Sequence, residues 1–276
     1  MSRTRETGLH GLVSGVGERG LTALETTGRL ILLAGETVSA AAGDIVTRRF
    51  SWAEFLHQVW FMARVAFLPT ILVSIPFGVI VAVQIGGISA QIGASSMQGA
   101  VNGVGVLRQG APLVTSLMIA GVVGSAITAD LGARTVREEI DALKVMGLSP
   151  IRRLVAPRLV AGLAVAIVLT AVVATTSILT SFALVVGGGK VSAGTYLGGF
   201  ASFAQLTDLA LAMFKALVFA FIAILVAAQK GLNAHGGPKG VADGVNQSVV
   251  LSVILLAVVN VAITQAYVML VPQRIA

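Results

Sequence analysis

The sequence contains no cysteine, which excludes a disulfide framework and any metal site built on thiolates. It has only three histidines, and His10, His57 and His235 lie far apart. Candidate metal ligands do not cluster, and no nucleophile stands in a pattern with a base. We therefore predict no catalytic residue, no metal site and no cofactor bound by this chain.

Charge is also scarce. Only 11% of the 276 residues are charged, against about a quarter in soluble domains. Hydrophobic residues make up 56% of the chain, and its mean hydropathy is +0.92. These values predict an all-α integral membrane protein. The apolar runs give five spans of about 20 residues or more, at about 66–88, 111–130, 157–186, 206–228 and 247–271.

The regions outside these spans divide the chain. Residues 1–50 are mixed in charge and predict a cytoplasmic or interfacial extension, not a signal peptide. Ser51 and Glu54 form a capping-box pattern, which predicts an amphipathic interfacial helix over 51–64 at the start of a membrane domain, 51–276. An ordinary start to the first span would share this pattern. The small and polar segment 89–110 predicts an exposed or partly re-entrant connection.

The basic residues are distributed unevenly between the two sides that five spans create. Fifteen lysines and arginines fall on the side of the N-terminus, and Arg108, Lys190 and Arg274 are the three on the other. Basic residues favour the cytoplasmic side of a membrane. We predict a multi-pass protein of the cytoplasmic (inner or plasma) membrane, with its N-terminus inside and its C-terminus outside.

The densest group of charges is the segment 134–158, between the second and third spans. Thr135 and Glu138 form a second capping-box pattern, Gly147 is a typical left-handed helix end, and Pro150 prevents continuation. These signals predict a water-exposed helix at about 136–146. Its charged residues favour docking of a soluble protein, although a solvated connecting helix without a partner would share the pattern.

Two further patterns lie inside the spans. Lys215 and Asp208 are two helical turns apart on one face, so they could pair through water, or Lys215 could extend its ammonium towards the headgroups. Small residues at helical spacing, Gly121, Gly124 and Ser125, predict close helix packing in the second span.

Two glycine-rich strings fail as nucleotide-binding motifs. GVGERG (15–20) has no preceding strand and no crossover unit, and GGGKV (187–191) lacks the earlier glycine and the Ser/Thr of a phosphate-binding loop. We therefore expect that this chain is not an enzyme and that any ATP hydrolysis takes place in another subunit.

The segment AGVVGSAITADLGARTVREEIDALKVMGLSPIRRLVAPR resembles the signature region of the MlaE/YrbE permease family. A second segment, DLALAMFKALVFAFIAILVAAQKGLNAHGGPKGVADGVNQSVV, resembles the family's Asp…Lys span and the Gly-rich loop after it. The similarity extends over about 55–265. FLPTILVSIP and the charged extension before it are similar to the actinobacterial YrbE type, and within it to the A subunit.

This resemblance implies an ABC-transporter permease that imports lipids, with Asp208 and Lys215 in a structural or gating role. The expected partners are ABC ATPase subunits that hold ATP and Mg, a second YrbE-type permease (a heterodimer is favoured), MCE-domain proteins on the outer side and a lipid, but no nucleic acid. The helix at 136–146 becomes the coupling helix, whose expected contact residues are Arg137, Glu138, Glu139, Asp141, Ala142, Met146, Gly147 and Pro150.

An apolar substrate cavity is expected between the two permeases, with Leu72, Ile75 and Val79 as contributors. Two other functions remain open. An ion-coupled secondary transporter would need buried acids, for which only Asp208 and Lys215 are candidates. A membrane scaffold without transport would use the charged segment only for docking.

Overall fold

The structure, a computed structural model, describes residues 28–47, 50–189 and 191–270. Its regular structure in these ranges is entirely helical. Five helical segments are long and apolar enough to cross a membrane, which confirms the predicted fold class: Trp52–Gln91, Ser95–Val136, Ile151–Gly187, Leu206–Leu232 and Gly237–Met269. The predictions for residues 1–27 and for residue 271 lie outside the described residues.

The helices are numbered in chain order. They are α1 (28–46), α2 (Trp52–Gln91), α3 (Gln98–Gly105), α4 (Ala111–Met118), α5 (Gly124–Val136), α6 (Glu139–Val145), α7 (Ala156–Gly187), α8 (Ala193–Phe203), α9 (Leu206–Leu232) and α10 (Gly237–Leu270). Three π-helical turns, Val106–Gly110, Ile119–Val123 and Ile151–Val155, join α3 to α4, join α4 to α5 and precede α7. The second span is thus one helical path with two π turns.

Helix α2 corrects the prediction of a separate interfacial helix over 51–64. The expected cap is present, since the Glu54 amide donates to Ser51 Oγ at 3.4 Å. The helix then runs without a break past Pro69 and Pro76. No glycine, proline or cap between the predicted helix and the predicted span could end it. Its 40 residues reach about 60 Å, twice the hydrocarbon thickness, so the helix is too long to lie within the apolar layer over its whole length unless it is strongly tilted.

The predicted connection 89–110 is also corrected, because most of it belongs to the second span. Gly99 lies so close to α8 that an added Cβ would be 2.1 Å from the carbonyl oxygen of Tyr196. Asn102 Nδ2 donates to Ser181 Oγ at 2.8 Å, and that hydroxyl also bonds Tyr196 OH at 3.0 Å. From Gln98 onwards, the small and polar side chains of this segment therefore face neighbouring helices.

Two other connections are more helical than predicted. The segment expected to join spans three and four contains α8, whose Ser192 cap accepts from the Thr195 amide at 3.2 Å. Residues 229–246 are largely helical as well, because α9 continues to Leu232 and α10 begins at Gly237. Only 233–236 remains between them.

The core lies where α2 packs along α7 and where α9 contacts α5, α7 and α10. Close approach depends on small residues: an added Cβ at Gly231 of α9 would be 2.7 Å from Leu131 Cβ on α5. The glycines predicted for this role are only partly confirmed. An added Cβ at Gly124 would be 3.7 Å from Ala227 Cβ, but one at Gly121 would meet no described atom within 4 Å. Ser125 Oγ donates within its own helix to Val122 O.

Candidate functional site

Helix α6 begins at Glu139 and ends at Val145, so it is shorter than the predicted 136–146. The predicted capping box does not form. Helix α5 continues through Thr135, and the Thr135 hydroxyl therefore donates to Leu131 O at 2.9 Å and to Gly231 O at 3.1 Å. The turn between the helices places Glu138 in the left-handed region, with a φ of 60°.

The end of α6 follows the prediction. Gly147 has a φ of 72°, the conformation that glycine adopts without a Cβ penalty. The Leu148 amide donates to the carbonyl of Leu143 at 2.9 Å, which closes the helix end. Pro150 then leads into the π turn Ile151–Val155. The direction of the chain on leaving α6 is thereby fixed.

Buried contacts and ion pairs hold α6 on the membrane helices. Ile140 is buried beneath it. Glu139 lies 3.7 Å from Arg134 of α5, and Arg134 Nε is 3.3 Å from Asp130. Asp130 also pairs with the buried Arg158 of α7. This chain of alternating charges connects α6 to both helices that flank it.

The outer face of α6 carries apolar side chains that no other described residue covers. Val145 is 89% exposed and Met146 is 64% exposed, and Leu148 beyond them is exposed as well. Exposed charged and small residues surround this tip: Arg137, Glu138, Asp141, Ala142 and Lys144. An apolar patch rimmed by charges is typical of a surface that binds another protein.

The second functional candidate is a polar cluster buried among the spans. It contains Asp208 and Lys215, at 0% and 1% exposure, for which the sequence left open a pair through water or an extension of Lys215 to the headgroups. In the structure, both residues instead bind the π turn Val106–Gly110, through different groups. Asp208 Oδ1 accepts from Arg108 Nε at 2.6 Å, and Asp208 Oδ2 caps the Gln205 amide at 3.2 Å.

Lys215 is bound by three acceptors. Its Nζ donates to the main-chain oxygen of Arg108 at 3.1 Å, to Gln109 Oε1 at 3.0 Å and to Thr264 Oγ1 at 2.9 Å. An ammonium group has three donors, so all are used. The alternative in which Lys215 extends to the headgroups is therefore wrong. The cluster ties α9 to the second span and to α10.

Sequence reasoning missed Arg108 and Gln109, because it placed Arg108 in an outer loop. The available signal was the run of small residues before them, which suits a packed helix as well as a connection. The guanidinium of Arg108 lies 5.9 Å from the centre of the Tyr267 ring on α10. Arg108 therefore contacts α9 through Asp208 and α10 through Tyr267. Lys215 connects the same two helices to the π turn that contains Arg108.

The three residues proposed for a substrate cavity lie along α2. Leu72 and Ile75 are 60% and 42% exposed, and Val79 is partly buried. In the single chain they form an outer surface and do not enclose a space. A cavity between two permeases remains a prediction.

The five spans define a multi-pass helical membrane protein. The family model Permease MlaE matches residues 55–266. This match covers most of the chain, which therefore belongs to the MlaE permease family.

Individual relatives agree with this assignment. A probable ABC transporter permease protein of Synechocystis is 32% identical over 190 residues, which cover 66% of this chain and 70% of the relative. One from Rickettsia bellii is 25% identical over 257 residues, with 93% and 97% coverage. The chloroplast protein TRIGALACTOSYLDIACYLGLYCEROL 1 of Arabidopsis thaliana is 26% identical over 224 residues, covering 80% of this chain but 64% of the Arabidopsis protein.

Proposed function

We propose that this chain is the membrane subunit of an ATP-driven lipid transporter and that α6 is its coupling helix. Membership of a family of ABC transporter permeases implies ATPase partners. ATP and Mg bind to that partner, and this chain hydrolyses nothing. The exposed apolar tip of α6, at Val145 and Met146, is the observation that carries the proposal.

The arrangement of charges explains how movement would pass from α6 into the membrane. When two ATPase subunits close on nucleotide, they displace the docked helix. Glu139, Arg134 and Asp130 connect α6 to α5, and Asp130 connects α5 to Arg158 of α7. A displacement of α6 therefore moves two membrane helices together, because breaking a partly buried ion pair is costly.

The transported molecule in this proposal is a lipid. The Arabidopsis relative is named after trigalactosyldiacylglycerol, a lipid. The actinobacterial YrbE resemblance supports import, with MCE-domain proteins on the outer side and a second YrbE-type permease as the other half of a heterodimer. The excess of basic residues around α1 and α6 supports a cytoplasmic position for that end, in the cytoplasmic membrane, with the C-terminus outside.

The buried charges do not favour the alternative of an ion-coupled transporter. Such a relay needs an acid that can exchange protons, whereas Asp208 is bound by Arg108 and Lys215 is held by three acceptors. Transport that depends on a proton gradient without ATP would support that alternative. A scaffold without transport would leave the partner's ATPase activity insensitive to lipid.

Co-purification tests the coupling role. Glu138→Lys reverses a charge at the start of α6, and Glu36→Lys makes the same change on an exposed part of α1. We expect the first variant to lose its ATPase and the second to retain it at wild-type stoichiometry, with equal helicity by circular dichroism. Retention by both variants would contradict the proposal. Mass spectrometry of lipids retained by the complex would identify the substrate class.

A further inference from the structure

A groove of about 880 Å³ runs along the outside of the bundle between α1, α9 and α10. Its volume lies in the range of ligand sites, roughly 300–1,000 Å³. Most of its wall is apolar, with Leu30 on α1, Phe221 and Leu225 on α9, and Ile254 and Val259 on α10. This composition suits hydrocarbon.

The polar residues of the groove lie at one end. They are Lys230, near the end of α9, and Asn246 and Gln247, in the first third of α10. Lys230 and Phe221 are nine residues apart on α9, a distance of about 14 Å along the helix. Asn246 and Val259 are about 20 Å apart along α10. The groove thus has a polar end followed by an apolar length suited to an acyl chain.

Lys230 differs from several other cations at this end of the molecule. Arg134, Lys144 and Arg158 each pair with a carboxylate. Lys230 Nζ donates to the neutral Gln247 Oε1 at 3.0 Å, and within the described ranges it forms no ion pair. None of the described residues that line the groove is acidic. The positive charge at its polar end is therefore available to an anion.

We propose that this groove binds an anionic phospholipid of the surrounding membrane, with its phosphate at Lys230 and one acyl chain between α1, α9 and α10. Basic residues beside membrane helices are known to recognise anionic headgroups. This lipid is a resident ligand and not the transported molecule. The site is independent of the proposed coupling to an ATPase.

The location suggests what the lipid does. It fills the space between α1 and the spans, and Lys230 directly precedes Gly231, whose carbonyl accepts the Thr135 hydroxyl of α5. Helix α5 leads into α6. A lipid bound at Lys230 therefore stabilises the packing from which α6 projects, and its binding should raise the thermal stability of the chain.

Native mass spectrometry of the purified full chain tests this site. The probes are phosphatidylglycerol and phosphatidylcholine with identical acyl chains, and the variants are Lys230→Gln and the control Lys239→Gln, a lysine of α10 outside the groove. We expect phosphatidylglycerol to bind wild type and the control equally and to bind Lys230→Gln about fivefold more weakly. Equal binding to all three proteins, or equal binding of the two lipids to wild type, would overturn the proposal.

A second measurement tests the apolar part of the groove. The chain has no native cysteine, so Ile254→Cys, at a position 56% exposed, introduces a unique thiol. A photoreactive probe on this thiol should crosslink to lipid. Crosslinks mainly to a second copy of the chain, or to residues 1–27, would show that protein fills the groove and would overturn the proposal. Neither experiment requires ATP or an ATPase.

Discussion

Lys215 Nζ donates a 3.1 Å hydrogen bond to the main-chain oxygen of Arg108, while the Arg108 side chain donates to Asp208 at 2.6 Å. Two residues of α9 thus bind one residue of the second span, Lys215 at its main-chain oxygen and Asp208 at its side chain. That residue lies in a π turn, an irregularity often found at functional positions. The cluster fixes how the second span and α9 pack.

The Arg108–Asp208 pair predicts energetic coupling between the two residues. Asp208→Asn preserves shape and an acceptor for the Gln205 amide but removes the charge. Because Asp208 is fully buried and the Arg108 side chain is 31% exposed, we expect a loss of about 1–3 kcal/mol in the free energy of unfolding.

A double-mutant cycle with Arg108→Gln, measured by unfolding in detergent micelles, should give a coupling of about 1 kcal/mol or more. Strictly additive effects would show that the pair contributes nothing.

Close packing of α3 on α8 predicts a sharp difference between two glycines. Gly99→Ala would place a Cβ 2.1 Å from the carbonyl oxygen of Tyr196, whereas Gly194 has nothing within 4 Å. Because the clashing atom belongs to the backbone of α8, relieving the clash requires a shift of the helix. Gly99→Ala should therefore lower the melting temperature by several degrees or more. Gly194→Ala, within α8, should leave it unchanged or raise it slightly. Thermal unfolding followed by intrinsic fluorescence compares them, and equal melting temperatures would argue against this helix contact.

The left-handed backbone at Glu138 predicts the order of stability of two substitutions there. Glycine adopts a φ of 60° readily, whereas a β-branched residue does so at a cost. Glu138→Gly should therefore raise the free energy of unfolding by up to about 1 kcal/mol, and Glu138→Val should lower it. Chemical denaturation measures both variants, and the reverse order would mean that the turn before α6 is built differently.

The number of spans and the end of α6 could be predicted because their signals are local. Long apolar runs require helices that cross the membrane, and Gly147 followed by Pro150 acts on its own backbone. The start of α6 could not be read in this way. Thr135 matches a helix cap by spacing, but its hydroxyl bonds Gly231 O, a group 96 residues away.

The buried cluster shows the same limit. Spacing along α9 correctly places Asp208 and Lys215 on a shared side of the helix, and their polarity marks them as functional candidates. Their partners, however, lie in a segment that looks too polar for a span. Gly99 and Asn102 are tolerated there because α7 and α8 supply contacts, and one sequence does not reveal which helices will meet.

The central claim is that α6 docks on an ATPase, and site-specific crosslinking tests it most directly. Val145→Cys introduces the only cysteine at a position 89% exposed, and Leu197→Cys on α8, 54% exposed, is the matched control. With a photoreactive maleimide in native membranes, the cysteine on α6 should crosslink to an ATP-hydrolysing protein and the control should not. If Val145→Cys yields no such adduct, or is labelled by an impermeant maleimide from outside intact cells, the proposed coupling role is wrong.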